Sequence, residues 1–279
     1  MALVTFAVMH ATPGSPLDPV AEGANPLSPE AQKNLAAAYG LDKPLHEQFV
    51  IFVAKTVRGD FGQSFVYKTR TVGEILLETF PVSLFLGSMA LALAILGGVS
   101  LGILAAVYQN RSWDYVSVGL ATLGVSIPNF ILGVFLIVLF SLVIPLFPTG
   151  GWDQPRDWVL PTLTLALGPM GIIARFTRSS MVEVIRSDYV LTARAKGLEE
   201  RLVIFKHVLK NAFIPVVTLV GPLFAAVGTG SFFVESIFRV PGMGRFFVLS
   251  MTGRDYPMIM AVILIYGAFL AAMNLLVDL

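Results

Sequence analysis

Five stretches of this chain carry no charged side chain at all: residues 81–107, 115–147, 159–174, 213–234 and 257–277. A membrane-crossing helix takes ~20 predominantly apolar residues, so the pattern predicts five complete spans joined by polar connectors. Residues 1–10 are apolar as well but too few to cross. With no basic residues ahead of them they do not read as a signal peptide; they are expected to be the outer end of a first helix that begins further upstream. That makes six crossings in an all-α polytopic membrane protein. Pro128, Pro145 and Pro148 interrupt the second complete span. A proline inside a span leaves a carbonyl to be satisfied by neighbours or water. Ser126-Ile127-Pro128-Asn129 therefore marks a kink that either lines a cavity or only shapes packing.

The connectors have their own patterns. Residues 11–79 are rich in Pro, Gly, Asp, Glu and Lys, with helix punctuation at Ser28 (N-cap), Pro29 (first helical position), Glu30 (first turn) and Gly40 (after the last turn). A second amphipathic helix follows Pro44, placing Phe49, Phe52, Val53 and Val57 on one face toward the first helix or the membrane surface. In the loop 150–158, Trp152 and Trp158 bracket Asp153, Arg156 and Asp157, as side chains do at a membrane interface. Residues 235–256 form a polar segment with a turn at Val240-Pro241-Gly242-Met243-Gly244.

Composition agrees: 56% hydrophobic and 13% charged residues lie far outside the range of a soluble domain. No cysteine is present, which removes disulfides, thiolate zinc sites and cysteine nucleophiles. The net charge of +1 matters less than where the charges sit. Eight basic residues fall between Arg175 and Lys210 against acidic Glu183, Asp188, Glu199 and Glu200, which puts that loop in the cytoplasm. Arg111 then falls on the same side. The segment 11–79, the tryptophan loop and residues 235–256 lie outside.

Several chemistries are missing. The complete spans lack the mid-membrane titratable groups that proton-coupled carriers use, although sodium coupling through broken helices stays open. No G-x-x-x-x-G-K-[ST] occurs, so the chain itself cannot cradle ATP phosphates. His46-Glu47 lacks the second histidine of a zinc-protease helix, and His10 and His207 are remote, so no metal site is expected. Ser231 in Gly228-Thr229-Gly230-Ser231 has no membrane-embedded histidine to activate it. No enzymatic role is expected, and no nucleic-acid partner.

Residues 186–215 stand apart. Asp188 to Lys196 reads as a short helix capped by Ser187, Gly197 is placed to end it in a left-handed conformation, and a second helix runs from Glu199 to Phe213. Two plainer readings compete with a partner-binding knob: a loop obeying the positive-inside bias, or a basic surface resting on anionic lipid.

The letters of this stretch resemble the coupling loop of ABC-importer permeases. Of the general E-A-A-x-x-x-G signature it keeps Ala193 and Gly197, with Leu191 and Thr192 ahead of them; His207, Leu209 and Lys210 follow where I-x-L-P is the rule. The resemblance to the peptide-permease branch is closer: Asp188-Tyr189-Val190, Thr192 to Leu198, and His207, Leu209, Asn211-Ala212, Ile214-Pro215-Val216. Further matches are Pro13-Gly14-Ser15-Pro16, Gly40-Leu41-Asp42-Lys43-Pro44 with Gln48, Gly59-Asp60-Phe61-Gly62 with Ser64, Ser126-Ile127-Pro128 with Phe130 and Gly133, and Pro241-Gly242-Met243-Gly244 with Arg254-Asp255-Tyr256-Pro257. The long external segment is similar to that of the first of the two permeases in dipeptide and oligopeptide importers. Against that pattern the basic start of the first helix and a short tail beyond Leu279 are absent.

The resemblance implies a type I ABC-importer permease fold: residues 1–10 as a remnant of the first helix, 11–79 as an external helical segment, and 80–279 as the transmembrane core with a cytoplasmic coupling loop at 181–212. It implies a multi-pass protein of a prokaryotic inner membrane that imports peptides or similar small solutes. Its implied partners are a second permease, two ATPases that bind the ATP and magnesium, an external substrate-binding protein and membrane lipid. In this reading Thr192, Ala193, Ala195, Gly197 and Leu198 enter a groove of the ATPase, with Arg194 and Lys196 pairing acidic groups at its rim. Ser126, Asn129 and Ser231 are expected to face the pathway. Glu235, Arg239, Arg245, Arg254 and Asp255 either gate its mouth or receive the binding protein, or else belong to a structural loop held by local ion pairs. The competing function is an ATP-independent channel or secondary carrier.

Overall fold

The computed structural model describes residues 2–11, 30, 36, 42–67 and 69–279. The punctuation expected at Ser28, Pro29 and Gly40 lies outside the described residues. Among the described residues the chain is helical, with an isolated bridge between Gln63 and Thr71 in place of any sheet. Helix α1 (Ala2–Ala11) packs on the last helix, and α2 (Leu45–Val57) follows Pro44 as expected. The α2 face meets the first helix: the Phe49 ring lies 5.3 Å from that of Phe6, while Val57 at the far end of α2 is 82% exposed.

Helix α3 (Val72–Val107) has 36 residues and is ~54 Å long at 1.5 Å per residue, far more than the ~30 Å hydrocarbon core. It starts before Pro81, where the charge-free run begins, because Thr71 and Glu74 form a reciprocal capping box: Glu74 N–H to Thr71 Oγ1 at 3.2 Å and Thr71 N–H to Glu74 at 2.9 Å. Pro81 is carried inside the helix. The first two turns are thus continuous with the helix of the charge-free run.

The next run is bent sharply where the sequence marks a kink. Helix α4 (Ser112–Ser126) breaks at Ile127–Pro128, and α5 (Asn129–Ile137), continued by a π-helical stretch (Val138–Val143), leaves at 104°. Pro128 offers no N–H and holds Ile127 in an extended conformation (φ −85°, ψ 120°). After a 3-10 turn (Pro155–Trp158) comes α6 (Val159–Ile185), which continues well past Arg175 and Arg178. Arginine is a good helix former and the charges end only the apolar run, not the helix. Helix α7 (Asp188–Ala195) is followed by a helical arm made of α8 (Glu200–Leu202), a π-helical stretch (Val203–Val208) and α9 (Leu209–Ala212). Helices α10 (Ile214–Gly228), α11 (Phe232–Ile237), α12 (Met243–Thr252) and α13 (Tyr256–Asp278) complete the chain. Among the described residues four stretches are long and apolar enough to cross a membrane, or five if the bent α4–α5 pair counts as one span. The sixth expected crossing is represented by α1, whose ten residues are too short to span.

The centre of the bundle is α3 against α6. A Cβ on Gly98 would lie 2.7 Å from the Met170 carbonyl oxygen, and one on Gly102 would lie 2.5 Å from Thr177 Cβ and 2.7 Å from the Ala174 carbonyl oxygen. The two glycines have the G-x-x-x-G spacing that lets membrane helices touch backbone to backbone. Helix α4 meets the other side of α6 in the same way, with a Gly124 Cβ falling 2.6 Å from the Leu167 carbonyl oxygen. Around these contacts Leu86, Ala90, Ala94, Leu160, Ile173, Val216 and Phe238 form the main buried cluster. Gly102→Val is expected to lower the thermal unfolding midpoint of the detergent-solubilised chain, since overpacking a close contact costs ~1–3 kcal/mol. Gly119→Val, whose side chain would meet nothing within 4 Å, is expected to leave the midpoint in place. Equal midpoints for the two variants would refute the glycine contact as the bundle's central seam.

Candidate coupling knob and outer mouth

At the end of the bundle where α3 finishes, α7 and the α8–α9 arm fold into a knob. Ser187 sits at the N-cap with extended backbone, but its hydroxyl donates back to the Val184 carbonyl at 2.6 Å instead of capping α7. The helix ends as the glycine requires: Gly197 has φ +77°, its N–H reaches the Arg194 carbonyl at 2.9 Å, and the Leu198 N–H turns back to Ala193 at 3.4 Å. A Cβ on Gly197 would meet nothing within 4 Å, so the position needs glycine for its backbone conformation and not for space.

Two faces result. Val190 and Ala193 turn inward and share an apolar cluster with Ala106, Met181, Val203, Ile204, Val208 and Ala212. Thr192, Ala195, Lys196, Gly197 and Leu198 are exposed. Ala193, grouped by its letters with the entering residues, thus serves the knob's own core. Arg194 is engaged within the knob by two bonds to Glu200, 2.6 and 3.1 Å long. That hydrogen bonding holds the Glu200 carboxyl below its ordinary range and the Arg194 guanidinium above its own. Tyr189 joins the two helices, its hydroxyl receiving Asn211 Nδ2 at 2.7 Å.

A further clamp sits beside the knob. Asp114, 2% exposed, receives Arg178 through Nε at 2.6 Å and Nη2 at 2.7 Å, and the Asn110 N–H at 2.9 Å. It ties the α3–α4 turn to α6. The pattern of basic residues contains Arg178 but carries no sign of its partner Asp114, because the two are 64 residues apart.

The expected pathway residues flank two breaks. Helices α4 and α10 each have 15 residues before they stop, at Ser126 and at Gly228, and the two breaks are neighbours: Phe130 and Phe233 lie 5.6 Å apart. Ser126 is exposed and Asn129 half-buried. Ser231 has a local duty as the N-cap of α11, accepting the Val234 N–H at 3.4 Å.

At the opposite end from the knob, the five polar residues expected at the mouth divide. Arg239 and Arg245 are exposed, and Arg254 is half-buried. Glu235 and Asp255 are fully buried. Asp255 caps α13 through the Met258 N–H at 3.3 Å and receives the Ser64 hydroxyl and, at 3.4 Å, the Val66 N–H. The strap 59–67 is thereby fastened to the last helix through Ser64 and Val66, so the motif Gly59-Asp60-Phe61-Gly62 with Ser64 and the motif Arg254-Asp255-Tyr256-Pro257 meet at one junction. Glu235 receives the Ser83 hydroxyl at 2.7 Å and the Arg245 N–H at 3.1 Å. Burial and hydroxyl or backbone donors, rather than ion pairs, hold both carboxylates. The tryptophan loop closes this end: Gly151 N–H reaches the Phe238 carbonyl at 2.8 Å, and Trp152, Trp158 and Phe85 pack ring on ring. Among the described residues no group of three or more potential metal-ligating side chains comes together.

Comparison with known proteins agrees with this architecture. The chain is 47% identical over 276 residues to the dipeptide transport system permease protein DppB of Bacillus subtilis, covering 99% of this chain and 88% of the relative. It is 40% identical over 267 residues to the oligopeptide transport system permease protein OppB of Salmonella typhimurium, covering 95% and 86%. Among solved structures, an inward-facing methionine ABC transporter superposes with a TM-score of 0.63 at 16% identity, over 73% of this chain and 93% of that one. An amino acid ABC transporter does so with a TM-score of 0.57 at 14% identity, over 74% and 92%; both likenesses show the fold. The family model for binding-protein-dependent transport system inner membrane components matches residues 98–279, which hold the glycine seam from Gly98, the knob and both breaks. By its own sequence, this chain belongs to the family of binding-protein-dependent transport system inner membrane components.

Proposed function

We propose that the chain is one of two permeases in an ATP-driven importer of peptides or similar small solutes. It works with a second permease, two cytoplasmic ATPases that bind ATP and magnesium, and an external binding protein. The single observation that carries this reading is the 47% identity to a dipeptide permease across nearly the whole chain. In this assignment the chain performs no catalysis. Residues 181–212 face the cytoplasm, and 11–79 together with the mouth face outward, as the eight basic residues between Arg175 and Lys210 favour.

The knob's task is mechanical. Thr192, Ala195, Gly197 and Leu198 present a small, partly apolar surface to the ATPase, Lys196 supplies a cation at its edge, and Ala193 keeps that surface in shape from within, with the exposed Arg194–Glu200 pair adding little. A displacement of the knob by the ATPases passes into α3 and α6 through Ala106 and Met181, which lie in the knob's own core. The spans then move as rigid bodies and switch the cavity from one side to the other. Ser126, Asn129 and Ser231, at the two adjoining breaks, are assigned to the wall of that cavity. A channel or secondary carrier would need neither the knob nor a family of binding-protein-dependent relatives.

Three outcomes test the reading. Proteoliposomes holding this chain, its partner permease, the ATPases and the binding protein are expected to accumulate a labelled dipeptide only with ATP; uptake by this chain alone without ATP would sink the importer. Gly197→Pro, which forces φ from +77° to about −65°, is expected to cut ATP-dependent uptake at least tenfold and to weaken co-purification of the ATPases, while membrane insertion is unchanged. Retained uptake would remove the knob from the coupling path. The third outcome concerns pH. Glu200 titrates below its ordinary value of 4.5 in the folded chain, so its pairing with Arg194 contributes above that value and is lost only as pH falls through the lowered one. Being partly exposed, the pair is worth no more than ~1 kcal/mol. Co-purification of the ATPases is therefore expected to be unchanged by Glu200→Gln within about twofold, and flat between about pH 6 and 8 as far as this pair is concerned.

A further inference from the structure

The buried carboxylate of Glu235 has no part in the coupling path, yet more of the outer end converges on it than on any other described side chain. It comes from α11, just after the break at Thr229–Ser231, and is 0% exposed. On one side stands α3: the Ser83 hydroxyl donates to Glu235 Oε1 at 2.7 Å and accepts the Met243 N–H at 2.8 Å. On the other stands the first turn of α12, whose Arg245 N–H reaches Glu235 Oε2 at 3.1 Å. The N-terminal N–H groups of α12 thus receive both the negative charge and the hydroxyl that their orphan donors and the helix dipole favour.

The surrounding backbone leaves room for the carboxylate and for nothing else. A Cβ on Gly242 would lie 2.5 Å from Glu235 Cδ and 2.5 Å from Ser83 Oγ; on Gly230 it would lie 2.7 Å from Glu235 Oε1, and on Gly244 3.0 Å from Oε2. Gly230 adds φ +101°, which side chains rarely adopt. Gly242 and Gly244, in the turn Pro241-Gly242-Met243-Gly244, are accordingly spaces cut to fit a side chain six or more residues earlier. Asp255 follows α12 at its other end and is fastened to the strap by Ser64. Helix α12 is held at both of its ends.

Resting on the transport reading above, we propose that Glu235 is the positioning residue of the outer mouth: held between Ser83 and the first turn of α12, it makes α11, α12 and the outer half of α3 one rigid body. The break at Thr229–Ser231 is then not a free hinge. The mouth opens and closes by movement of this body as a whole, and the exposed Arg239 and Arg245 keep a fixed spacing while it does so.

The chain contains no cysteine, so paired spin labels need no background removal in it. With labels at Leu77→Cys on α3 and Leu249→Cys on α12, both exposed, the purified chain in lipid nanodiscs is expected to give one narrow distance distribution. Glu235→Gln and, separately, Ser83→Ala are each expected to broaden it about twofold or more. A second pair at the knob end, Leu104→Cys with Leu202→Cys, is expected to stay narrow. If Glu235→Gln disturbs that control pair, it has unfolded the chain and the milder Ser83→Ala decides. An unchanged Leu77–Leu249 distribution in the variants that keep the control pair narrow would overturn the proposal. In the reconstituted importer, Ser83→Ala and Glu235→Gln are expected to raise the external substrate concentration for half-maximal uptake about tenfold, with the maximal rate within about twofold. A fall in maximal rate alone would place Glu235 in general stability instead of the mouth. Absence of ATP-dependent uptake by the unaltered importer would defeat the transport reading, while the label distances would still report on the latch.

Discussion

Backbone contact between α3 and α6 is the constraint on which the rest of the molecule depends. Inside a bilayer the lipid tails are as apolar as leucine, so burying apolar surface between helices gains little, and association relies on how closely the helices approach. Gly98 and Gly102 bring α3 against the carbonyl groups of Met170 and Ala174. Because α3 is 36 residues long, that seam fixes much more than the middle of the bundle. Ala106 at one end of the helix belongs to the knob's core, and Ser83 toward the other belongs to the latch around Glu235. One rod therefore touches both ends of the molecule.

Among the described residues fully buried charge is confined to those ends, and each buried carboxylate is answered in a way suited to its place. Asp114, beside the knob, has the bidentate guanidinium of Arg178. Glu235 and Asp255, at the mouth, have hydroxyl and backbone donors and the first turn of a following helix. An unpaired buried carboxylate is prohibitively costly, and charge-assisted hydrogen bonds offset that cost only when they are several and well placed. A single residue of this kind constrains every element that supplies a donor. The middle of the bundle, built from Leu86, Ala90, Ala94, Ile173 and Val216, is apolar and is held by the close approach of α3 and α6 instead.

Local patterns in the sequence located the helices well and their ends poorly. Charge-free runs found every long span, and Gly197 announced its left-handed turn, because those properties reside in the residues themselves. The start of α3 was also legible, in Thr71 and Glu74 three apart, but hydropathy drew the boundary at Pro81 and a capping box lies outside what hydropathy measures. Helix α6 outran its apolar stretch for the same reason. The 104° bend at Pro128 exceeds what a lone proline specifies, since its size depends on what α5 packs against. Least legible were the latches. Ser83 and Glu235 are 152 residues apart and Ser64 and Asp255 are 191 apart, so the glycines of Pro241-Gly242-Met243-Gly244 read as a turn when they are equally a space for a carboxylate.

The shape of the knob decides where a push on it must go. A π-helical stretch such as Val203–Val208 often marks a compliant joint, and here it stands between the knob and α10. Yet Val203, Ile204 and Val208 are buried in the same cluster as Val190 and Ala193, so the widened turn is packed into the knob and not left as a free hinge. Bending there would open that cluster, whereas moving the knob as a unit leaves it intact and carries Ala106 and Met181 along. The knob's core is thus continuous with α3 and α6, the pair joined by the glycine seam, and Asp114 and Arg178 bind the α3–α4 turn to the same pair. Helix α10 ends at the break near Gly230, beyond which Glu235 fastens α11 to Ser83 of α3.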